Sequence, residues 1–137
     1  MLRRRSKIIQ KVMSKLNIIL KGRPITKKNS QRIVLAKNGR RFVIQSKQYL
    51  TYENDCLWQI KAEYRGETIT GQINLQALYY MPTKARPDLL NLEQATADIL
   101  QKAKLIENDK NIVSFDGSRI AGVDKVNPRT EITIEGR

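Results

Sequence analysis

The chain has 137 residues and no histidine, and its 26 lysines and arginines outnumber its 13 aspartates and glutamates. That length suits one domain with its own core. The formal charge of +13 and pI near 10.1 call for a polyanionic partner, nucleic acid first, more than for mere solubility. A single cysteine, Cys56, excludes an intrachain disulfide and a thiolate metal cluster and fits a reducing compartment. Without histidine there is no Ser-His or Cys-His nucleophile pair. Any metal must be held by oxygen, which favours magnesium, manganese or calcium.

Residues 1–15, within "MLRRRSKIIQKVMSKLN", begin basic and then turn apolar. Lys11 and Lys15 interrupt any signal-peptide core, and no apolar run is long enough for a bilayer span. The expectation is a basic, disordered arm, or an upstream start before Met13, followed by one domain over residues 16–137. "LNIILKG" (16–22) reads as a buried strand, and "RPITKKNSQR" as a polar, basic loop. "IVLAKNGRRFVIQ" reads as a hairpin around Asn38-Gly39, the pair that accepts positive φ in a type I′ turn. Ser46 then caps a helix on which Tyr49, Tyr52, Cys56, Leu57, Ile60 and Tyr64 recur at spacings of three and four, with Gly66 to end it.

"QINLQALYYM" alternates, with Ile73, Leu75, Ala77 and Tyr79 on one face, and Pro82 ends it. A second helix begins with Pro87 in its first turn and runs to about Lys104. "NIVSFDGSRI" and "RTEITIE" supply two more short strands. The predicted fold class is α+β, a small mixed β-sheet with two main helices packed on one face.

At about 100° per residue, Leu89, Leu92, Thr96, Ile99, Leu100 and Ala103 form the core stripe of the second helix. Asp88, Asn91, Gln94 and Asp98 lie on its polar side. A solvated face, with Asp88 favouring the positive helix end, is the plain alternative to a functional site. Asp98 stands ~15 Å along the axis from Asp88, too far to share one magnesium at ~2.1 Å ligand distance. Asp109 follows in "IENDKN", where turn chemistry alone accounts for Asn and Asp. On a functional reading, Glu107 and Asp109 hold a divalent ion.

Four segments carry a resemblance: "KGRPITKKNSQRI", "QSKQYLTYENDCLW", "RPDLLNLEQATADILQKAKLIENDKNIVSFDGSR" and "DKVNPRTEITI". In this order, across residues 16–134, they resemble the RusA family of phage and prophage Holliday-junction endonucleases. The resemblance implies a homodimer in the bacterial cytoplasm, phage or prophage encoded. Such a dimer serves DNA recombination and repair by cutting two opposing strands of a four-way junction with Mg2+ or Mn2+. The family centre reads Arg-Pro-Asp-Leu-Asp-Asn, then a lysine, then an Asp-Asp pair. Asp88, Asn91 and Asp109 match it as catalytic residues, with Asp88 and Asp109 as metal ligands. Leu90 and Gln94 stand where the pattern has aspartate and lysine, and Asn108-Asp109 replaces the pair. Asp98 and Asp116 are candidate replacement metal ligands, as some phage relatives share a related pattern. A weakened or inactive junction-binding copy is the alternative, and a basic RNA-associated module is a third class.

Phosphodiester hydrolysis without histidine relies on a divalent ion held by carboxylates, with nearby cations steadying the phosphate. Arg86, Lys102 and Lys110 are placed to stand in for the missing lysine. Lys27, Lys28, Asn29, Arg32, Lys37, Arg40, Arg41 and Arg86 are the candidate DNA contacts, with Ser30 a further uncharged donor. Phe42 and Tyr49 are candidates to stack on an unpaired base, though core packing is the plainer role. Asp88 and Asp109 sit beyond opposite ends of a ~25 Å helix. They meet within one subunit only if the chain folds back; otherwise Asp88 of one chain meets Asp109 of a two-fold mate.

Overall fold

The computed structural model describes residues 15–27 and 31–137. Among these residues, seven strands and two helices follow in the order β1 (Lys15–Lys21), β2 (Gln31–Leu35), β3 (Arg41–Gln45), α1 (Lys47–Glu63), β4 (Ile73–Met81), α2 (Leu89–Lys102), β5 (Ile112–Ser114), β6 (Arg119–Val123) and β7 (Arg129–Gly136). The main sheet runs β1-β7-β4-β5, with β6 also on β4. β7 is antiparallel to β1 and β4, whereas β5 and β6 are parallel to β4. A parallel pair needs a crossover, and α2 supplies it, which fixes the helix against the sheet beside β4.

Alternation decides which sheet face is dry. Ile18 and Leu20 of β1, Ile73, Leu75, Ala77 and Tyr79 of β4, and Ile132 and Ile134 of β7 are all buried. They meet Tyr49, Tyr52, Cys56 and Ile60 of α1 and Ala95, Ile99 and Leu100 of α2 in one core, with Leu92 packing on Ala77, Tyr79 and Met81. The expected mixed sheet with both helices on one face is what the chain forms. Among the described residues, no helix is long and apolar enough to cross a membrane.

Several local expectations are corrected. Only Gly39 of the hairpin tip has positive φ, at 82°. Ala36 N–H donates to Arg40 C=O and Gly39 N–H to Ala36 C=O, which makes a three-residue loop closed by a left-handed glycine, not a two-residue type I′ turn. Ser46 caps α1 as expected, its hydroxyl accepting from Tyr49 N–H at 3.1 Å. Gly66 does not terminate α1, which closes at Tyr64 in extended conformation; a Cβ at Gly66 would strike the Tyr64 ring at 2.7–2.8 Å. Pro87 precedes α2 instead of opening it, because Asp88 takes the cap.

"NIVSFDGSRI" splits into β5 and β6. Buried Asn74 draws in the break: its Oδ1 accepts from Ser114 Oγ and Asp116 N–H, and its Nδ2 donates to Asp116 C=O. Gly117 turns the chain at a left-handed φ of 84°, and a Cβ there would have to displace the Gln76 amide. The N-terminal arm up to residue 14 lies outside the described residues, as do Lys28, Asn29 and Ser30 of the basic loop.

Candidate active site along the second helix

Asp88 begins α2 by capping it. Its backbone is extended (φ −66°, ψ 126°), as expected of an N-cap, and its Oδ1 accepts from Leu90 N–H at 2.9 Å. A short carboxylate at this position satisfies an otherwise orphaned donor and suits the positive helix end. One oxygen is thereby engaged and the residue remains exposed, so the second oxygen faces solvent. Cations border this end. Arg86 and Arg23 line a cleft of about 250 Å³ with Thr26, Gln48 and Pro87. Arg86 also lines a second cleft with Thr83 and Lys84.

The far end of α2 sends the chain back on itself. Lys104 adopts a left-handed φ of 58°; its N–H donates to Gln101 C=O and Leu105 N–H to Leu100 C=O, the paired bonds of a Schellman turn. A single 3₁₀ turn, Asp109–Asn111, follows, capped by Asn108. Asp109 N–H donates to Gln101 Oε1 at 2.8 Å, which ties the turn to the last turn of α2. The returning segment and the helix enclose a groove of about 280 Å³ lined by Leu90, Glu93, Gln94, Ala97, Asp109, Ile112 and Phe115. Asp109 therefore shares a groove with Leu90, two residues after Asp88. The fold-back that a single-subunit site requires is present, although Asp88 itself does not line the groove.

Helical geometry separates the remaining carboxylates from that groove. Taking Leu90 as zero at about 100° per residue, Gln94 and Ala97 fall near 40° and −20°, whereas Asn91, Asp98 and Lys102 fall near 80–120°. This second ridge faces α1. Asp98 is ion-paired with Lys27 at 3.0 Å, and Lys27 also lies 5.8 Å from the centre of the Tyr49 ring. Lys102 Nζ meets Glu53 Oε1 at 2.8 Å. Glu53 Oε2 and the Tyr49 hydroxyl are both buried without a hydrogen-bond partner. Burial, reinforced by the Glu53 charge, holds the Tyr49 phenol well above its ordinary range. Tyr49 is thus a core residue.

Asp116 is anchored through its backbone to Asn74; its carboxylate lies 3.7 Å from Arg137 and does not line the groove. Glu107 is exposed, its N–H donates to Ile69 C=O, and it does not line the groove that Asp109 lines. Lys110 is exposed on the 3₁₀ turn. Lys37, Arg40 and Arg41 are exposed around the hairpin tip, with Phe42 46% exposed beside them. Arg32 lies within β2.

Glu93 is the residue sequence reasoning passed over. It is 7% exposed and lines the same groove as Asp109. Burial raises its carboxyl above the ordinary range. A periodicity reading treats glutamate as solvent-facing, so only its position between Leu92 and Thr96, on the edge of the apolar stripe, could have signalled it.

Two acids, Glu93 and Asp109, in a groove between α2 and the returning segment, with cationic clefts at the start of the same helix in a strongly basic α+β domain, suit a protein that works on phosphodiesters. The family model described as endodeoxyribonuclease RusA matches residues 21–135, and the chain belongs to that family. It is also similar to the crossover junction endodeoxyribonuclease RusA of Aquifex aeolicus (strain VF5). The two are 24% identical over 113 residues, covering 82% of this chain and 85% of the relative.

Proposed function

We propose that this protein is a structure-selective endonuclease that resolves four-way DNA junctions with a divalent cation, Mg2+ or Mn2+, as a homodimer in the cytoplasm. The observation that carries the reading is the RusA family match, which spans the basic loop, the hairpin, both helices and the groove. The Aquifex relative is named for crossover junctions. A junction has two-fold symmetry, which suits paired identical sites.

The side chains fit a hard cation. Magnesium is commonly bound by one or two carboxylates, with waters and substrate phosphates completing its shell. Asp109 in the groove and the free oxygen of Asp88 at the helix start are the proposed ligands, with Asn91 orienting Asp88 or a water. When bound, the cation polarises the scissile phosphate and lowers the pKa of the attacking water. Arg23, Lys84 and Arg86 hold the phosphate backbone at the start of α2, where the helix end itself favours anions. Lys110 is the cation nearest in sequence to Asp109 and balances charge on the substrate. Asp98 and Asp116 already face Lys27 and Arg137, so they contribute to folding more than to the cation. Lys37, Arg40 and Arg41 extend the phosphate contacts along a flanking arm.

Incubation with a synthetic four-way junction in magnesium, manganese or EDTA tests this. Symmetric nicking of opposed strands is expected with either metal and none with EDTA. Binding without cutting under every metal condition would refute catalysis. Equal affinity for duplex RNA would refute junction selectivity.

A further inference from the structure

We infer that Glu93 is a direct ligand of the divalent cation and shares it with Asp109. This rests on the reading of the chain as a cation-dependent nuclease.

The molecule contains its own comparison. Glu53 and Glu93 are similarly buried, at 5% and 7% exposure. Glu53 is compensated by Lys102 at 2.8 Å, whereas Glu93 has no hydrogen-bond or ion-pair partner among the described residues. Acids are rarely buried to this degree without a partner, because even partial desolvation of a carboxylate is costly. The nearby Tyr79 hydroxyl does not compensate it, since that hydroxyl is engaged with Thr96 Oγ1 at 2.7 Å.

The missing partner belongs on the groove side. Glu93 on α2 and Asp109 on the returning segment line the same groove, with the small Ala97 also on its helix side. Two carboxylates and the Gln94 amide oxygen make an oxygen-only set, suited to a hard cation. The surrounding Leu90, Ile112 and Phe115 lower the local dielectric and strengthen the attraction of a cation to both acids.

The test measures Mn2+ binding without DNA, by titration calorimetry, for the unaltered protein, Glu93→Gln and Asp109→Asn. Thermal melting confirms that each variant is folded. Either substitution is expected to weaken Mn2+ binding at least tenfold, while junction binding in EDTA is retained. Unchanged Mn2+ affinity in folded Glu93→Gln overturns the proposal, even if the unaltered protein cuts junctions. Mn2+ binding that depends on Glu93 in a protein that never cuts supports the ligand and overturns the nuclease reading instead. Should Glu93→Gln not fold, Fe2+ and ascorbate applied to the unaltered protein decide the matter. Backbone scission next to both Glu93 and Asp109 is expected; scission away from Glu93 refutes the assignment.

Discussion

Asp88 performs two tasks that substitutions can separate. As the cap of α2 it accepts from Leu90 N–H at 2.9 Å, and as a proposed ligand it offers its other oxygen. Replacing it with alanine removes both, and loss of a side-chain cap costs about 1 kcal/mol. At this size such a loss lowers the melting temperature by about 4 °C. Asparagine keeps an oxygen in the capping position and caps about as well. Asp88→Asn therefore loses only the interaction of charge with the helix end, about 0.3–1 kcal/mol. The anionic ligand is gone in both variants. Junction cleavage should fall in both by more than the ~10–100-fold that disturbing an indirect metal partner costs, although the asparagine form melts within about 1–4 °C of the unaltered protein, above an alanine form that loses the cap as well as the charge. Differential scanning calorimetry and single-turnover junction cleavage, run on the same preparations, check the pair. Cleavage by Asp88→Asn at the unaltered rate would refute the ligand role. A melting temperature for Asp88→Asn as low as that of Asp88→Ala would refute the capping argument.

Lys102→Met strands the buried Glu53 carboxylate and should cost about 2 kcal/mol in urea unfolding. Adding Glu53→Gln should recover part of that, and a neutral result for the single variant would show that the 2.8 Å ion pair contributes nothing. Burial pushes the Cys56 thiol up to about 12, so it should stay unlabelled by a thiol reagent at pH 8 and react only on unfolding; fast labelling of the native protein would contradict this. The sign for stability follows from the unfolded thiol ionising near ~8.5: the contribution is whole below that pH and is lost as pH rises towards about 12, measurable as a falling urea midpoint. Alanine at Lys37, Arg40 and Arg41 together should weaken junction binding and reduce the log–log salt slope by about 0.9 for each phosphate left without its cation. An unchanged slope in filter binding would remove the hairpin from the interface.

Hydrophobic period and turn chemistry were enough to place both helices, β1, β4, β7 and the hairpin, because each of these buries one regular face. The errors have local physical causes. The hairpin turn depends on whether Asn38 or only Gly39 takes positive φ, which Asn-Gly leaves open. The split between β5 and β6 depends on the buried Asn74, 40 to 42 residues away in sequence, and no local pattern announces that partner.

What the sequence determined by itself is the chemical repertoire: a strongly basic domain without histidine, acids gathered between Asp88 and Asp116, and an order of motifs that resembles the RusA family. The tertiary structure decided which acids keep company. Glu53 faces Lys102 across the helix pair and Asp98 faces Lys27 of the loop after β1, while Asp109 folds back to line the same groove as a buried, partnerless Glu93. Helical angle and the left-handed turn at Lys104 set that sorting, since they fix direction in space where composition fixes only what is present.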